Sequence, residues 1–181
     1  RMGGADKPAR LVRGLPMLDR VLDATVCARP RVVVGPARPD LPPDVRCVRE
    51  QPPGGGPVAA AMAGLAVVLA APGPPRYTAL LAADLPFLTR AAVRTLLAQL
   101  TSTAAHGAVY IDETGHRQWL CGAWRTTALA ARLLSAGTLA GSSIRRTLAG
   151  LTVTEVSAPP GGPPPWFDCD TEEDLQRTEE W

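Results

Sequence analysis

Lysine is nearly absent from this chain of 181 residues, which carries eighteen arginines and a single lysine, Lys7. Aromatic residues make up only 4% of it, too few for the stacking platforms that hold single-stranded nucleic acid. The net charge of +2 is small and the arginines are scattered, which argues against a nucleic-acid surface. No apolar run reaches the roughly 20 residues that a membrane helix needs; the most hydrophobic stretch, Val58 to Ala71, is shorter and rich in alanine. The four cysteines (Cys27, Cys47, Cys121, Cys169) form no Cys-x-x-Cys pair, so they read as free thiols in a reducing cytoplasm rather than a disulfide frame or zinc site. There is no Gly-x-Ser-x-Gly elbow, and His106 and His116 have no partner at metal spacing. The sequence opens on Arg1 with no legible signal peptide, and the expectation is a cytoplasmic protein whose natural chain begins further upstream.

What is present is an alternation of short apolar runs and helical stretches. Arg31 to Gly35 is β-branched and bounded by prolines, which predicts a buried strand; Val45 to Arg49 predicts a weaker one. Pro57 to Ala71 reads as a helix with proline in its first turn. Tyr77 to Ala83 is a strong strand that ends at Asp84-Leu85-Pro86, and Thr89 is placed to cap a helix reaching Leu100. Ala108 to Asp112 predicts a strand, Trp119 to Trp124 is a further apolar run, and helices are expected over Thr127 to Ser135 and Ser142 to Leu148. Leu151 to Val156 reads as a strand, and the Pro/Gly stretch Ala158 to Pro165 as a loop, either a lid or a linker. In the last helix Thr171-x-x-Asp174 resembles a capping box. This order predicts one α/β domain over residues 1–181 with a largely parallel sheet.

Ligands of such sheets bind beyond the carboxyl ends of the strands, and three features fall there. The loop Arg1-Met2-Gly3-Gly4-Ala5-Asp6-Lys7 offers backbone amides and two cations to an anion. Lys is a compact point charge where Arg is a broad fork, so the lone lysine fits a crowded phosphate site as well as it fits an exposed surface. Gly54-Gly55-Gly56 opens a helix, as a ligand-hugging turn or a plain flexible one. Asp84 stands at a strand tip, where a carboxylate can hold Mg²⁺ over phosphates or simply cap a turn. Asp168 and Asp170 form a second carboxylate pair before the last helix, with Asp170 placed to cap it.

Arg-Met-Gly-Gly-x-Asp-Lys, Gly-Gly-Pro-Val-Ala-Ala, Ala-Ala-Asp-Leu-Pro-Phe-Leu and Asp-x-Asp-Thr-x-Glu-Asp-Leu occur in this order from Arg1 to Leu175. Together they resemble the molybdenum cofactor guanylyltransferases. The resemblance implies a Rossmann-like three-layer sandwich that transfers GMP from GTP to molybdopterin, forming the guanine dinucleotide cofactor and releasing pyrophosphate. By that resemblance Arg1, Gly3, Gly4, Lys7, Gln51, Gly56 and Asp84 would line the nucleotide, with Lys7 and Asp84 as the catalytic pair. Asp84, with Asp168, would bind Mg²⁺, and Asp168 and Asp170 would lie toward the pterin phosphate. It further implies transient contact with proteins that deliver molybdopterin or receive the product.

Three departures follow from the same comparison. The family begins with a strand and a Leu-Ala-Gly-Gly loop ahead of Arg-Met-Gly-Gly; both are missing, so the first strand, a central one, is expected to be absent. Gln51 stands where many relatives carry an aspartate that reads the guanine edge, and an amide accepts where a carboxylate would but must also offer its own N–H. Base choice is therefore open to CTP unless Glu50 substitutes. Asp168-Cys169-Asp170 replaces Asn-x-Asn, which suits a cation better than a bare phosphate. Asp84-Leu85-Pro86 favours the guanylyl over the cytidylyl branch, which tends to carry Asp-Gln-Pro. The remaining alternatives are a nucleotidyltransferase for another small phosphate and a non-catalytic scaffold of the same fold.

Overall fold

The computed structural model describes residues 7–136, 143–169 and 171–180. A short turn at Lys7–Ala9 leads into a two-residue ribbon, β1 (Leu11–Val12) against β2 (Leu15–Pro16). Helix α1 (Met17–Ala24) follows at once, and its buried face is Met17, Leu18, Val21 and Leu22, the spacing of one helical stripe. Strands β3 (Arg31–Val34) and β4 (Val45–Val48) pair in parallel. Helix α2 (Gly56–Leu69) is apolar all round, but only Val58, Ala61, Leu65 and Val68 are buried, and Ala66 and Leu69 stay exposed.

A second sheet has the order β5-β7-β6-β8, formed by β5 (Tyr77–Leu81), β6 (Gly107–Ile111), β7 (Arg117–Arg125) and β8 (Val153–Val156). β7 is antiparallel to both β5 and β6, and β8 is parallel to β6. Three strands of this sheet therefore run one way and only β7 opposes them, as the predicted α/β fold requires. The remaining helices are α3 (Arg90–Thr101), α4 (Thr126–Ala136), α5 (Ile144–Leu148) and α6 (Glu172–Glu180). The Ser142 start expected for α5 lies outside the described residues; the helix begins at Ile144.

The core has two sides because strand side chains alternate. Ala108 and Tyr110 of β6 join Val93, Leu96 and Leu100 of α3 on one face. Val109, between them, joins Val58, Trp124, Leu129 and Leu148 on the other, under α2, α4 and α5. Helices thus cover both faces, the three-layer arrangement. Tyr110 donates its hydroxyl to Ala92 O at 3.1 Å, anchoring α3 to the sheet. Trp124 is wholly buried, and Gly107 faces its six-membered ring so closely that a Cβ there would overlap it.

Between β3 and β5 the two sheets do not meet. A cavity of about 690 Å³ separates them, lined along both strands.

No helix among the described residues is long and apolar enough to cross a membrane. The four cysteines are free.

Candidate functional site

The last pairing of β5 is carried one residue past the strand, Ala82 N–H donating to Leu120 O at 2.7 Å. Asp84 follows as the chain leaves the sheet, and the buried Leu85 and Leu88 pin the turn behind it. Lys7 comes from the opposite end of the sequence. Its Nζ donates to Asp84 Oδ2 at 2.5 Å, and the two side chains are 25% and 19% exposed. Exposed ion pairs are worth about 0–1 kcal/mol; this one is screened less than those and still open to a ligand. An ammonium has three donors and a carboxylate about four acceptor sites, so neither group is exhausted by the other.

Asp168 is exposed, while the adjacent Cys169 is buried with Val12, Met17 and Phe167. Burial pushes the Cys169 thiol up to about 11; the charges of Asp174, Asp84 and Asp168 add to that and Lys7 opposes it. The Cys169 thiol thus feels the charges of Lys7, Asp84 and Asp168, of which Lys7 and Asp84 are in direct contact. Phe87, three residues after Asp84, meets Phe167, just before Asp168, with ring centroids 5.9 Å apart. Arg13 lies over the first ring and Arg177 over the second, at 5.8 and 5.5 Å. Arg13 Nε also donates to Thr178 O at 3.2 Å, so α6 is fastened across the ribbon. Sequence reasoning missed this row of cation, ring, ring and cation. A signal existed: the chain has only two phenylalanines, and each stands within three residues of a candidate carboxylate.

The glycine turn is built from left-handed backbone, with φ of +74° at Gly54 and +87° at Gly56, which glycine adopts without steric cost. At Gly55 a Cβ would stand 2.8 Å from Pro52 O. Glu50 Oε1 accepts the Gly54 N–H at 2.8 Å, and that bond holds its carboxyl below the usual range. Glu50 thus helps to shape the turn with one of its two carboxylate oxygens. Gln51 is exposed beside it. Helix α2, about 21 Å long by its 14 residues, carries the chain back between β4 and β5. The Gly54–Gly56 turn and Asp84 therefore both emerge at the carboxyl edge of the strands.

Arg1, Gly3, Gly4 and Asp170 lie outside the described residues. Thr171 caps α6: Asp174 N–H donates to Thr171 Oγ1 at 3.1 Å, and Thr171 N–H to Asp174 Oδ2 at 2.9 Å, a reciprocal box. The loop 158–165 has no helix or strand, but Pro165 is buried and its carbonyl accepts from Cys121 Sγ at 3.8 Å. Trp166 then packs on Tyr110 at 5.3 Å, so the far end of the loop is seated on the sheet.

Among the described residues no group of three or more His, Cys, Asp or Glu side chains is gathered to hold a metal. Asp84 and Asp168 are the carboxylates that the sequence assigned to a metal. That donor chemistry fits Mg²⁺, which keeps several waters and takes one or two carboxylates plus substrate phosphates.

The family model for the MobA-like NTP transferase domain matches residues 1–153. A search of curated proteins returns no match. Among solved structures, the fold resembles molybdopterin-guanine dinucleotide biosynthesis protein A from Archaeoglobus fulgidus, with a TM-score of 0.71 and 17% identity over 98% of this chain and 90% of that one. It also resembles 2-C-methyl-D-erythritol 4-phosphate cytidylyltransferase from Thermus thermophilus, at 0.68 and 18%, covering 96% and 92%. The 4-diphosphocytidyl-2C-methyl-D-erythritol synthase of Anaerococcus prevotii gives 0.66 and 12%, covering 97% and 91%. At these identities the likeness is one of fold.

Proposed function

The chain belongs to the MobA-like NTP transferase family, and we propose that within it this protein transfers GMP from GTP to the phosphate of molybdopterin. The observation that carries the reading is the Lys7–Asp84 pair at the carboxyl edge of the sheet. In the reaction an oxygen of the acceptor phosphate bonds to the α-phosphorus of GTP, and the bond from that phosphorus to the bridging oxygen breaks. The electron pair leaves with pyrophosphate. The attacking phosphate is already an anion, so no residue has to remove a proton from it. What the site must supply is position and positive charge.

Lys7 supplies a fixed cation at the phosphates, and Asp84 orients that ammonium. Asp84 and Asp168 would hold Mg²⁺, which when bound neutralises phosphate charge at the reacting centre. The Gly54–Gly56 turn lets backbone approach the nucleotide without side chains in the way. The short row Arg13, Phe87, Phe167 and Arg177 closes one side of the site.

Gln51 favours a second reading in which CTP is the donor, since it offers an amide where guanine's paired N–H groups want a carboxylate. Incubation with molybdopterin and each of GTP, CTP and ATP, with pyrophosphate release and product mass as readouts, separates the two. GTP-dependent release with a guanine dinucleotide product is the expected outcome. CTP dependence would move the donor to cytidine, and no release with any triphosphate would end the reading.

A further inference from the structure

The turn of the β1–β2 ribbon is a costly place for arginine. Val12 pairs with Leu15, so Arg13 and Gly14 form a two-residue hairpin loop, with φ of +49° and +77°. A turn with positive φ at both central positions is best served by asparagine followed by glycine. Among the described residues Arg13 is the one non-glycine with positive φ. A long side chain held in the left-handed region implies a task that outweighs the local strain.

The contacts of Arg13 show that task. Its Nε donates to Thr178 O in α6, 165 positions away, at 3.2 Å. That carbonyl lies in the last turn of the helix, where intrahelical donors run out. A guanidinium there supplies the donor and sets a cation against the negative end of the helix dipole. The same group lies over the Phe87 ring at 5.8 Å. One side chain therefore joins α6 to the turn that carries Asp84.

Helix α6 has a small apolar face of its own. Its nine residues, Glu172–Glu180, include one aliphatic side chain, Leu175, half-buried against Val12, Met17 and Cys169. Thr178 is buried beside it and donates its hydroxyl to Leu175 O at 2.6 Å. A helix this short is marginal unless tertiary contacts hold it. The chain enters α6 through Phe167-Asp168-Cys169, and Phe167 meets Phe87 with centroids 5.9 Å apart. The seat of α6 thus governs the placing of Asp168. Lys7 and Asp84 are fixed by other means. Behind Lys7, Met17 N–H donates to Arg10 O at 3.1 Å, and behind Asp84 the side chains of Leu85 and Leu88 are buried.

We infer that Arg13 is a positioning residue for the acceptor side of the site: by clamping the end of α6 to Phe87, it holds Phe167 and Asp168 toward the Lys7–Asp84 pair. The acceptor-side role rests on the guanylyl-transfer reading; the clamp does not.

The test replaces Arg13 by asparagine, which suits the turn better and removes the clamp. Amide hydrogen exchange of the 181-residue chain, with no nucleotide present, is the first readout. In Arg13→Asn the amides of residues 175–178 exchange about tenfold faster or more, the scale of a hydrogen bond from a charged donor. Those of Leu96 and Leu100 in α3 keep their rates. Pyrophosphate release from GTP and molybdopterin is the second readout: KM for molybdopterin rises about tenfold, and KM for GTP does not move. Arg13→Lys, which keeps the charge but not the planar fork, falls between parent and Arg13→Asn in both. Unchanged exchange in α6 overturns the inference, and so does an equal acceleration in α3. An equal change in the two KM values, or none in either, overturns the acceptor-side role. A parent chain that releases no pyrophosphate, with α6 still loosened in Arg13→Asn, would end the guanylyl-transfer reading and leave the clamp standing.

Discussion

Lys7 and Asp84 are 77 positions apart in the chain and 2.5 Å apart in space. The first sits in a short turn before the ribbon, the second just past β5. Their meeting turns a solitary lysine and a strand-end carboxylate into one electrostatic unit.

The helix behind Asp84 depends on its cap. Thr89 Oγ1 accepts the Ala92 N–H at 3.1 Å, satisfying a donor that the first turn of α3 cannot. Thr89→Ala is expected to lower stability by about 1 kcal/mol, read as a shifted urea midpoint with an unchanged slope.

Gly107 tests the packing around Trp124. Gly107→Ala drives a methyl group into a fully buried ring, and overpacking of that kind costs about 1–3 kcal/mol. Denaturant unfolding should show that loss. A neutral result would mean that the ring shifts freely, against its complete burial.

Cys121 predicts an alkaline weakness. Burial raises its thiol from about 9 to about 12. Below pH 9 both folded and unfolded chains hold the proton and nothing is lost. Between those values the unfolded chain releases it while the folded chain keeps it, so stability falls as pH rises. Cys121→Ala should flatten the decline in urea midpoint between pH 9 and 11 relative to the parent chain.

Much of the fold was legible because its signals are local. The β-branched run at Arg31, the Thr89 cap and the Thr171–Asp174 box need only near neighbours, and each stands where it was expected. Helix α1 was not read, although Met17, Leu18, Val21 and Leu22 carry a helical stripe. The Trp119 to Trp124 run is the centre of β7, which extends over Arg117–Arg125 because it pairs on both sides. Strand order is a long-range fact and no local pattern carries it. The same holds for the site. Asp84 was visible as the end of an apolar strand and Lys7 as a rarity, but not that they touch. Nor could the residues alone show that Glu50 accepts the Gly54 N–H.

Gln51 governs which base is taken, on the proposed reading. It is exposed beside the glycine turn, free of the loop-shaping bond that occupies Glu50. Replacing it by aspartate gives guanine a carboxylate acceptor, a change of about 1–3 kcal/mol. Gln51→Asp should therefore raise the ratio of GTP to CTP affinity by about tenfold, measured by competition titration. An unchanged ratio would remove Gln51 from base selection.

The most direct measurement is calorimetric titration of GTP, with and without Mg²⁺, into the parent chain, Lys7→Ala and Asp84→Ala. Mg²⁺-dependent binding is expected in the parent, with a loss of about tenfold to a hundredfold in each variant, the scale of hydrogen bonds to charged groups. Asp84→Ala should also abolish the dependence on Mg²⁺. Equal GTP affinity in all three proteins, or affinity indifferent to the metal, would contradict the assignment of this pair to the nucleotide.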